Sequence, residues 1–169
     1  GTYTPAITNN GALIYSSSAA QTMSGIISGT GNLVKDNTGT LTLSGANTYS
    51  GPTTINGGTL WLGNGGTGGS LNTVSAIYIA SGATFRTAQT DDITQGIDFS
   101  GAAITGDGGI THNNNGGTLI LKAANTYTGG TFLFRSKVRA EHNDALGTGL
   151  VTLYNTGAIL ELASGITLD

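Results

Sequence analysis

Apolar and polar residues alternate over short stretches of this 169-residue chain, and glycine, asparagine or serine interrupts the alternation every few residues. Leu41 and Leu43 share one side of an extended segment, and the threonines between them share the other. A period of two is typical of a β-strand with one buried face, and no segment keeps the 3.6-residue period of an amphipathic helix. The pattern predicts short strands at residues 12–15, 25–28, 32–35, 40–44, 53–56, 59–63, 76–80, 83–87, 97–100, 110–112, 118–122, 131–134, 137–140, 150–153, 158–162 and 166–168.

The same alternation predicts which side chains face the core. Leu60 and Leu62 point inward, so Trp61 between them points outward. By the same rule Tyr78 and Ile120 point outward, because their apolar neighbours point inward. Each strand therefore covers one side of an apolar core.

A long internal repeat bears on how the strands are arranged. The stretch GTLTLSGANTYSGPTTINGGTLWLGN begins at Gly39 and returns at Gly117 as GTLILKAANTYTGGTFLFRSKVRAEH. Asn47 and Asn125 hold the same place in the two copies. Self-similarity at such a long period indicates stacked units rather than one closed core.

A second set of related segments, at Gly11, Gly82 and Gly157, sets the larger unit. An antiparallel sandwich or barrel would also bury one face of each strand, but the repeat favours a parallel β-helix (β-solenoid) in which each coil pairs with the next. We expect an all-β fold of roughly eight short coils. The expected organisation is a single β-helix fragment, 1–169, with repeat units at about 11–81, 82–156 and, in part, 157–169.

Composition narrows the classes of function. Only 9% of residues are charged and the net charge is −3, which is too weak for a nucleic-acid groove or a polybasic membrane surface. The chain has no cysteine, so its stability must come from burial and hydrogen bonding. No apolar run approaches the roughly 18 residues of a membrane span.

The repeat closely resembles the passenger-associated transport repeat of bacterial autotransporters, or type V secreted proteins. Residues 39–63 match the pattern almost position for position, residues 117–131 match it again, and residues 143–153 resemble the family's next coil. The resemblance implies a right-handed parallel β-helix, exported through a C-terminal β-barrel translocator of the same polypeptide and displayed outside the outer membrane. We expect this chain to be a passenger fragment without that barrel.

The second copy departs from the family pattern after its second strand. Where the first copy has Gly57, Gly58 and Trp61, the second has Arg135, Ser136 and Arg139. The glycines that permit a positive φ are lost, so we expect a reshaped turn.

Four residues, an asparagine and a tyrosine in each copy, hold equivalent positions at the turns of the two repeats. Asn47 and Asn125 are expected to be structural, with amides that hydrogen-bond the backbone of a turn. Tyr49 and Tyr127 follow at equal spacing and are expected to pack over that turn rather than bind a ligand.

A speculative binding face comprises Trp61, Arg135, Lys137 and Arg139. The three cations alternate along the chain and predict an outward basic row, which would suit anionic glycans or matrix, although a solvated strand face that discourages aggregation explains it as well. Trp61 is able to stack on a sugar or to contact a neighbouring loop.

Catalytic and metal sites are not indicated. The only adjacent carboxylates are Asp91 and Asp92, and neighbours on a strand point in opposite directions. His112 and His142 lack the spacing of metal ligands and are expected at the surface or in turns. No cofactor is expected.

The sequence therefore predicts a non-catalytic structural and export module of a secreted passenger at the bacterial surface. One alternative is an adhesin segment that binds host or matrix glycans or proteins through loops or the basic row. A remote alternative is a polysaccharide-degrading β-helix enzyme, which would depend on acids such as Asp98 or Asp107. Exposed solenoid ends or edges predict self-association, and no nucleic-acid partner is expected.

Overall fold

A computed structural model describes residues 1–113 and 116–168. The described residues form eighteen β-strands and no helix, and every paired strand runs parallel to its neighbour. The strands are β1 Thr2–Tyr3, β2 Ile7–Thr8, β3 Ala12–Ser16, β4 Gln21–Met23, β5 Ile27–Ser28, β6 Asn32–Asp36, β7 Thr40–Leu43, β8 Thr53–Ile55, β9 Thr59–Leu62, β10 Ile77–Ile79, β11 Thr84–Thr87, β12 Ile93–Thr94, β13 Gly109–Asn113, β14 Thr118–Leu121, β15 Thr131–Phe134, β16 Lys137–Ala140, β17 Val151–Tyr154 and β18 Ile159–Leu162.

The largest sheet, which we call face 1, contains eight strands in the order β1-β4-β7-β9-β11-β13-β15-β17. Each turn of the chain contributes one of them, so the described residues make eight coils, which confirms the predicted parallel solenoid. Coil length varies: Thr40 pairs with Thr59, and Thr59 pairs with Thr84 after a longer stretch of chain. At about 4.8 Å between strands, eight coils extend roughly 35 Å along the axis.

Two further faces complete each coil. Face 2 consists of the sheets β2-β5 and β12-β14-β16-β18, joined through a bridge between Ala46 and Ser70. Face 3 consists of β3-β6-β8-β10 and continues through a bridge between Tyr78 and Thr105. The chain therefore visits faces 1, 2 and 3 in turn before it starts the next coil.

The long repeat is not a whole number of these coils. Its first copy begins with β7 on face 1, and its second copy begins with β14 on face 2. The related segments β3, β11 and β18 shift in the same way, because they lie on faces 3, 1 and 2. One repeat therefore spans three coils and one further face, and equivalent residues of the two copies point in different directions around the axis.

Inward side chains stack in rows along the axis and form one continuous core. All eight residues predicted to point inward are buried, namely Leu41, Leu43, Leu60, Leu62, Ile77, Ile79, Leu119 and Leu121. Tyr78 is exposed, and Trp61 and Ile120 are half-buried, as expected for outward positions. Full burial of one such leucine or isoleucine contributes about 1.5–3 kcal/mol before entropy is counted, so repeated inward rows carry most of the favourable free energy.

Four short strands were missed and two predicted ones are wrong. The missed strands, β1, β2, β4 and β12, have only two or three residues, too few for alternation to be visible. The predicted strand at 97–100 is instead a turn, because Gly96 adopts φ +84° and the Asp98 carboxylate accepts the Thr94 N–H at 2.8 Å. Residues 166–168 form no strand, and the Ile166 N–H closes a turn with the Ala163 carbonyl at 3.1 Å.

Candidate functional site

The repeat turn of the first copy is built around the buried side chain of Asn47. Its Oδ1 accepts the backbone N–H of Ile27 at 3.0 Å, in the preceding coil. Its Nδ2 donates to the carbonyls of Gly45 at 2.9 Å and Ser70 at 3.1 Å, the latter in the following coil. One amide therefore joins three successive coils.

Asn125 repeats this arrangement one face further around the solenoid. Its Oδ1 accepts the Ile104 N–H at 2.9 Å, and its Nδ2 donates to the Ala145 carbonyl at 2.7 Å. The amide also exchanges two hydrogen bonds, of 2.9 and 3.2 Å, with the buried amide of Gln95. The second turn is therefore tied more tightly into its surroundings than the first.

The two tyrosines of the repeat lie inside the core rather than over the turn. Tyr49 and Tyr127 are both 0% exposed. Their hydroxyls bond to Thr53 at 2.7 Å and Thr131 at 2.5 Å, respectively. Burial raises the pKa of both phenols above the ordinary value, so both remain neutral. These side chains are inaccessible to a ligand.

The predicted basic row does not form one row. Lys137 and Arg139 point outward from β16, but Arg135 precedes the strand at the corner between faces 1 and 2. The turn is reshaped: φ is +49° at Arg135, whereas Gly58 holds the positive φ in the first copy. Because an arginine pays a steric penalty there that glycine avoids, this corner is locally strained.

Carboxylates neutralise most of the positive charge on β16, which corrects the expectation of a basic face. Lys137 pairs with Glu161, and this hydrogen bond holds the pKa of that carboxyl below its ordinary value. The Nε of Arg139 lies 3.1 Å from the Oε1 of Glu141, and its Nη1 lies 3.7 Å from the Oε1 of Glu161. Lys122 pairs with Glu141 at 3.4 Å. The surface is a mixed ion-pair network on adjacent coils of face 2.

Trp61 points outward from face 1, but one face of its ring is covered. The guanidinium carbon of Arg86, in the next coil, lies 4.1 Å from the centroid of the ring. This is the geometry of a cation–π contact. The indole is therefore a support for Arg86 rather than an open stacking platform.

Three of the four carboxylates singled out in the sequence lie beside a cavity of about 280 Å³ at the corner between faces 1 and 2, whereas Asp107 does not line it. Asp91, Asp92 and Asp98 all line it. Asp92 accepts the Thr118 N–H at 2.7 Å, and Asp98 caps a turn as described above. Among residues 1–113 and 116–168, no three potential metal ligands of the types His, Cys, Asp and Glu converge.

Lys35 and Gln95 are among the buried polar residues that sequence reasoning did not single out. Lys35 is 0% exposed, and its Nζ donates to the carbonyls of Asp36, Asn37 and Gly57 at 2.8–2.9 Å. Its inward parity with Leu33 could have revealed it. Gln95 lies in a loop-like run without periodicity, so no local signal was available.

His112 is buried, which contradicts the expected surface or turn position. It points inward from face 1, two residues after the buried Ile110. Its Nδ1 lies 2.8 Å from the Thr87 hydroxyl and its Nε2 lies 3.3 Å from the Gly117 carbonyl. Burial holds the pKa of the ring below its ordinary value, so the neutral imidazole is favoured.

Comparisons with known proteins find a family match over both repeat turns. The passenger-associated-transport-repeat family matches residues 33–62 and again residues 114–133. The chain is similar to the adhesin BmaC autotransporter of Brucella suis biovar 1 (strain 1330), at 36% identity over 65% of this chain. That alignment covers 4% of the Brucella protein, so the chain spans a small part of its relative. No solved structure matches the chain, and among the described residues no helix is long and apolar enough to cross a membrane.

Proposed function

We propose that the chain, in which the passenger-associated-transport-repeat family matches residues 33–62 and 114–133, is a non-catalytic β-helical stalk segment of a secreted passenger. The proposal rests on one observation: the residues that match the repeat fold as part of an eight-coil parallel solenoid. Such a rod gives length and rigidity at the bacterial surface.

Coil-on-coil pairing provides a physical route to folding after export. In a solenoid each coil contacts only its neighbours, so a folded coil offers an open strand edge to the next segment of chain. The asparagine amides bridge adjacent coils and would secure each addition. The absence of cysteine leaves no disulfide to form or break in transit.

The proposed location is the extracellular side of the outer membrane, with a C-terminal β-barrel translocator of the same polypeptide as the export partner. Antibody labelling of intact cells that express the complete protein, combined with protease shaving, tests this. Surface labelling that disappears when the translocator is deleted supports the proposal. Cytoplasmic retention of the chain in cells with an intact translocator contradicts it.

The non-catalytic assignment rests on the use of the carboxylates. Asp92 and Asp98 accept backbone N–H groups of their own fold, which leaves them poorly placed as acid and base. Incubation of the chain with polysaccharide libraries should give no turnover. Turnover abolished by Asp91→Asn, Asp92→Asn or Asp98→Asn would favour the enzyme alternative.

Adhesion is a second candidate, favoured by the printed description of the Brucella relative as an adhesin. We place it at Arg135 and Lys137, at the corner between faces 1 and 2, because Trp61 lies three coils away against Arg86 and Arg139 is paired with glutamates. Arg135 is exposed there and lines a cavity of about 370 Å³ together with Lys137. Binding of the chain to immobilised matrix proteins or glycans, lost in Arg135→Glu, would support this role.

Self-association through the solenoid end is a further proposal. Leu153 and Leu162 continue the inward rows of Leu133 and Ala140, but they are 47% and 43% exposed, whereas their partners are buried. Exposed apolar rows beside an unpaired strand edge favour docking of another coil or of a second copy. Sedimentation of the isolated chain should show concentration-dependent association that Leu153→Asn weakens, whereas a strict monomer contradicts it.

A further inference from the structure

A small groove lies on the outer surface of face 1, away from the ion-pair network of face 2. Its volume is about 270 Å³, and it is lined by Thr59, Thr84, Arg86, Thr111, Asn113 and Phe134. Five of these six side chains are polar, so the groove is not an apolar patch that waits for a packing partner. Its chemistry is that of a small site for a polar ligand.

The parallel register of four successive coils builds the groove. Thr59 pairs with Thr84, and Arg86 pairs with Thr111 in the next coil. One outward position further along, Asn113 pairs with Phe134. Outward residues repeat about every 4.8 Å along the axis, so hydroxyl, guanidinium and amide groups converge from adjacent strands.

Arg86 is a cation without a matching carboxylate. Lys122, Lys137 and Arg139 all pair with glutamates, whereas no carboxylate of the described residues forms an ion pair with Arg86. Its side chain is half-buried against Trp61, and its Nε is buried without a hydrogen-bond partner among the described residues. A partly desolvated, uncompensated guanidinium favours an anionic group from outside the chain.

The opposite side of the groove is aromatic. The ring of Phe134 stacks on that of Tyr154 with 4.4 Å between centroids and 7° between planes. The half-buried Phe134 presents apolar ring surface to the groove. Sugar rings combine an apolar face of C–H groups with a rim of hydroxyls, so an aromatic wall opposite hydrogen-bonding groups suits them.

We propose that this groove binds one acidic sugar of a glycan, with its carboxylate or sulfate paired to Arg86 and its ring against Phe134. The fork of the guanidinium matches the two oxygens of a carboxylate or sulfate. The threonine hydroxyls and the Asn113 amide bond to the sugar hydroxyls. A long polyanion such as a nucleic acid fits poorly, because the groove offers one cation and the chain carries a net charge of −3. The site does not depend on the proposed stalk function.

The test titrates the whole 169-residue chain with three related probes: lactose, 3′-sialyllactose and 3′-sulfolactose. Trp61 is the only tryptophan and lies under Arg86, so its fluorescence reports on occupancy, and calorimetry measures the affinity independently. We expect 3′-sialyllactose or 3′-sulfolactose, whichever acid group the groove takes, to bind about tenfold or more tightly than lactose. Arg86→Gln should remove that preference, and Phe134→Ala should weaken every probe.

The matched control is Lys122→Gln, which removes an exposed cation on face 2, outside the groove, and should leave binding unchanged. Circular dichroism establishes that each variant keeps the wild-type fold. Equal binding of lactose and the acidic probes, unchanged affinity in Arg86→Gln, or no binding of any probe would each overturn the proposal. A preference for the sialylated or the sulfated probe identifies which acid group the site accepts. Failure of surface export would leave this site untouched, so the two proposals fail separately.

Discussion

The two equivalent asparagines of the repeat should differ in their contribution to stability, and replacing each with alanine measures the difference. In Asn125→Ala, the Ile104 N–H and the Ala145 carbonyl both lose their side-chain partner. Gln95 loses two of its five hydrogen bonds, although its contacts with Ala102 and the backbone after β14 remain.

Asn47→Ala leaves fewer groups unpaired. Only the Ile27 N–H loses its partner, because the carbonyls of Gly45 and Ser70 also accept backbone hydrogen bonds, at 3.2 and 3.0 Å. A buried polar group left without a partner costs about 1–3 kcal/mol. We therefore expect a loss of about 2 kcal/mol for Asn47→Ala and about 4 kcal/mol for Asn125→Ala.

Urea unfolding, followed by far-ultraviolet circular dichroism and by the fluorescence of Trp61, measures these losses. For a slope of about 2 kcal/mol per molar urea, the midpoints should fall by about 1 M and 2 M respectively. The matched control is Asn56→Ala, which removes an exposed amide that bonds the Asp36 carboxylate at 2.8 Å and should change stability by less than about 0.5 kcal/mol.

The order of the two losses is the decisive result. If Asn125→Ala proves no more destabilising than Asn47→Ala, the count of orphaned groups does not explain the stability of the turns. A water that fills the space left by the larger network would produce that outcome.

Three further predictions follow from the other buried groups and from the coil register. Burial lowers the pKa of His112, so the unfolded chain takes up a proton before the folded chain does as the pH falls below 6.5. Urea midpoints at pH 7, 6 and 5 should therefore show stability falling by up to about 1.4 kcal/mol per pH unit, and His112→Gln should flatten that slope. The lowered pKa of Glu161 affects stability only below pH 4.5. Lys35→Met removes a buried ammonium that donates to three partly buried carbonyls, and it should cost about 1–3 kcal/mol in urea unfolding. Lys122→Met at the surface should cost under about 1 kcal/mol, and equal losses would refute the role of burial. Deletion of residues 40–58 removes one whole coil and should leave a β-rich fold that unfolds cooperatively by circular dichroism. Deletion of residues 40–48 should abolish cooperative unfolding, because the shorter cut places every later strand on the wrong face.

The fold could be predicted because its signal is both local and repeated. Alternation in segments such as Leu41–Leu43 and Leu60–Leu62 identified the inward residues, and the repeat favoured parallel stacking over a sandwich. What the sequence could not supply is the phase between repeat and coil. The long period hides a shift of one face, because coils differ in length and their lengths are set by turns that carry no alternation.

The candidate sites were less predictable, because they depend on contacts between coils. Glu161 neutralises Lys137 from the paired strand of the next coil, and Arg86 covers Trp61 from the coil that follows it. Neither partner is visible from the local pattern around the residue that it changes. His112 was misjudged for a different reason: parity with Ile110 pointed inward, but a histidine was expected to avoid the core.

Because the repeat shifts by one face, the contacts of its inward residues recur in both copies, whereas its outward residues point in different directions. Residues that face inward or join coils keep their contacts in both copies: Asn47 and Asn125 bridge adjacent coils, and each following tyrosine bonds the threonine that opens the next strand. The outward position of Trp61 corresponds to Arg139, but the first lies on face 1 and the second on face 2. A surface feature is therefore never stacked on its own copy, so each face can acquire its own chemistry while the interior repeats. The groove beside Arg86 is such a feature, since its residues occur once in the described chain and depend on the solenoid only for their spacing.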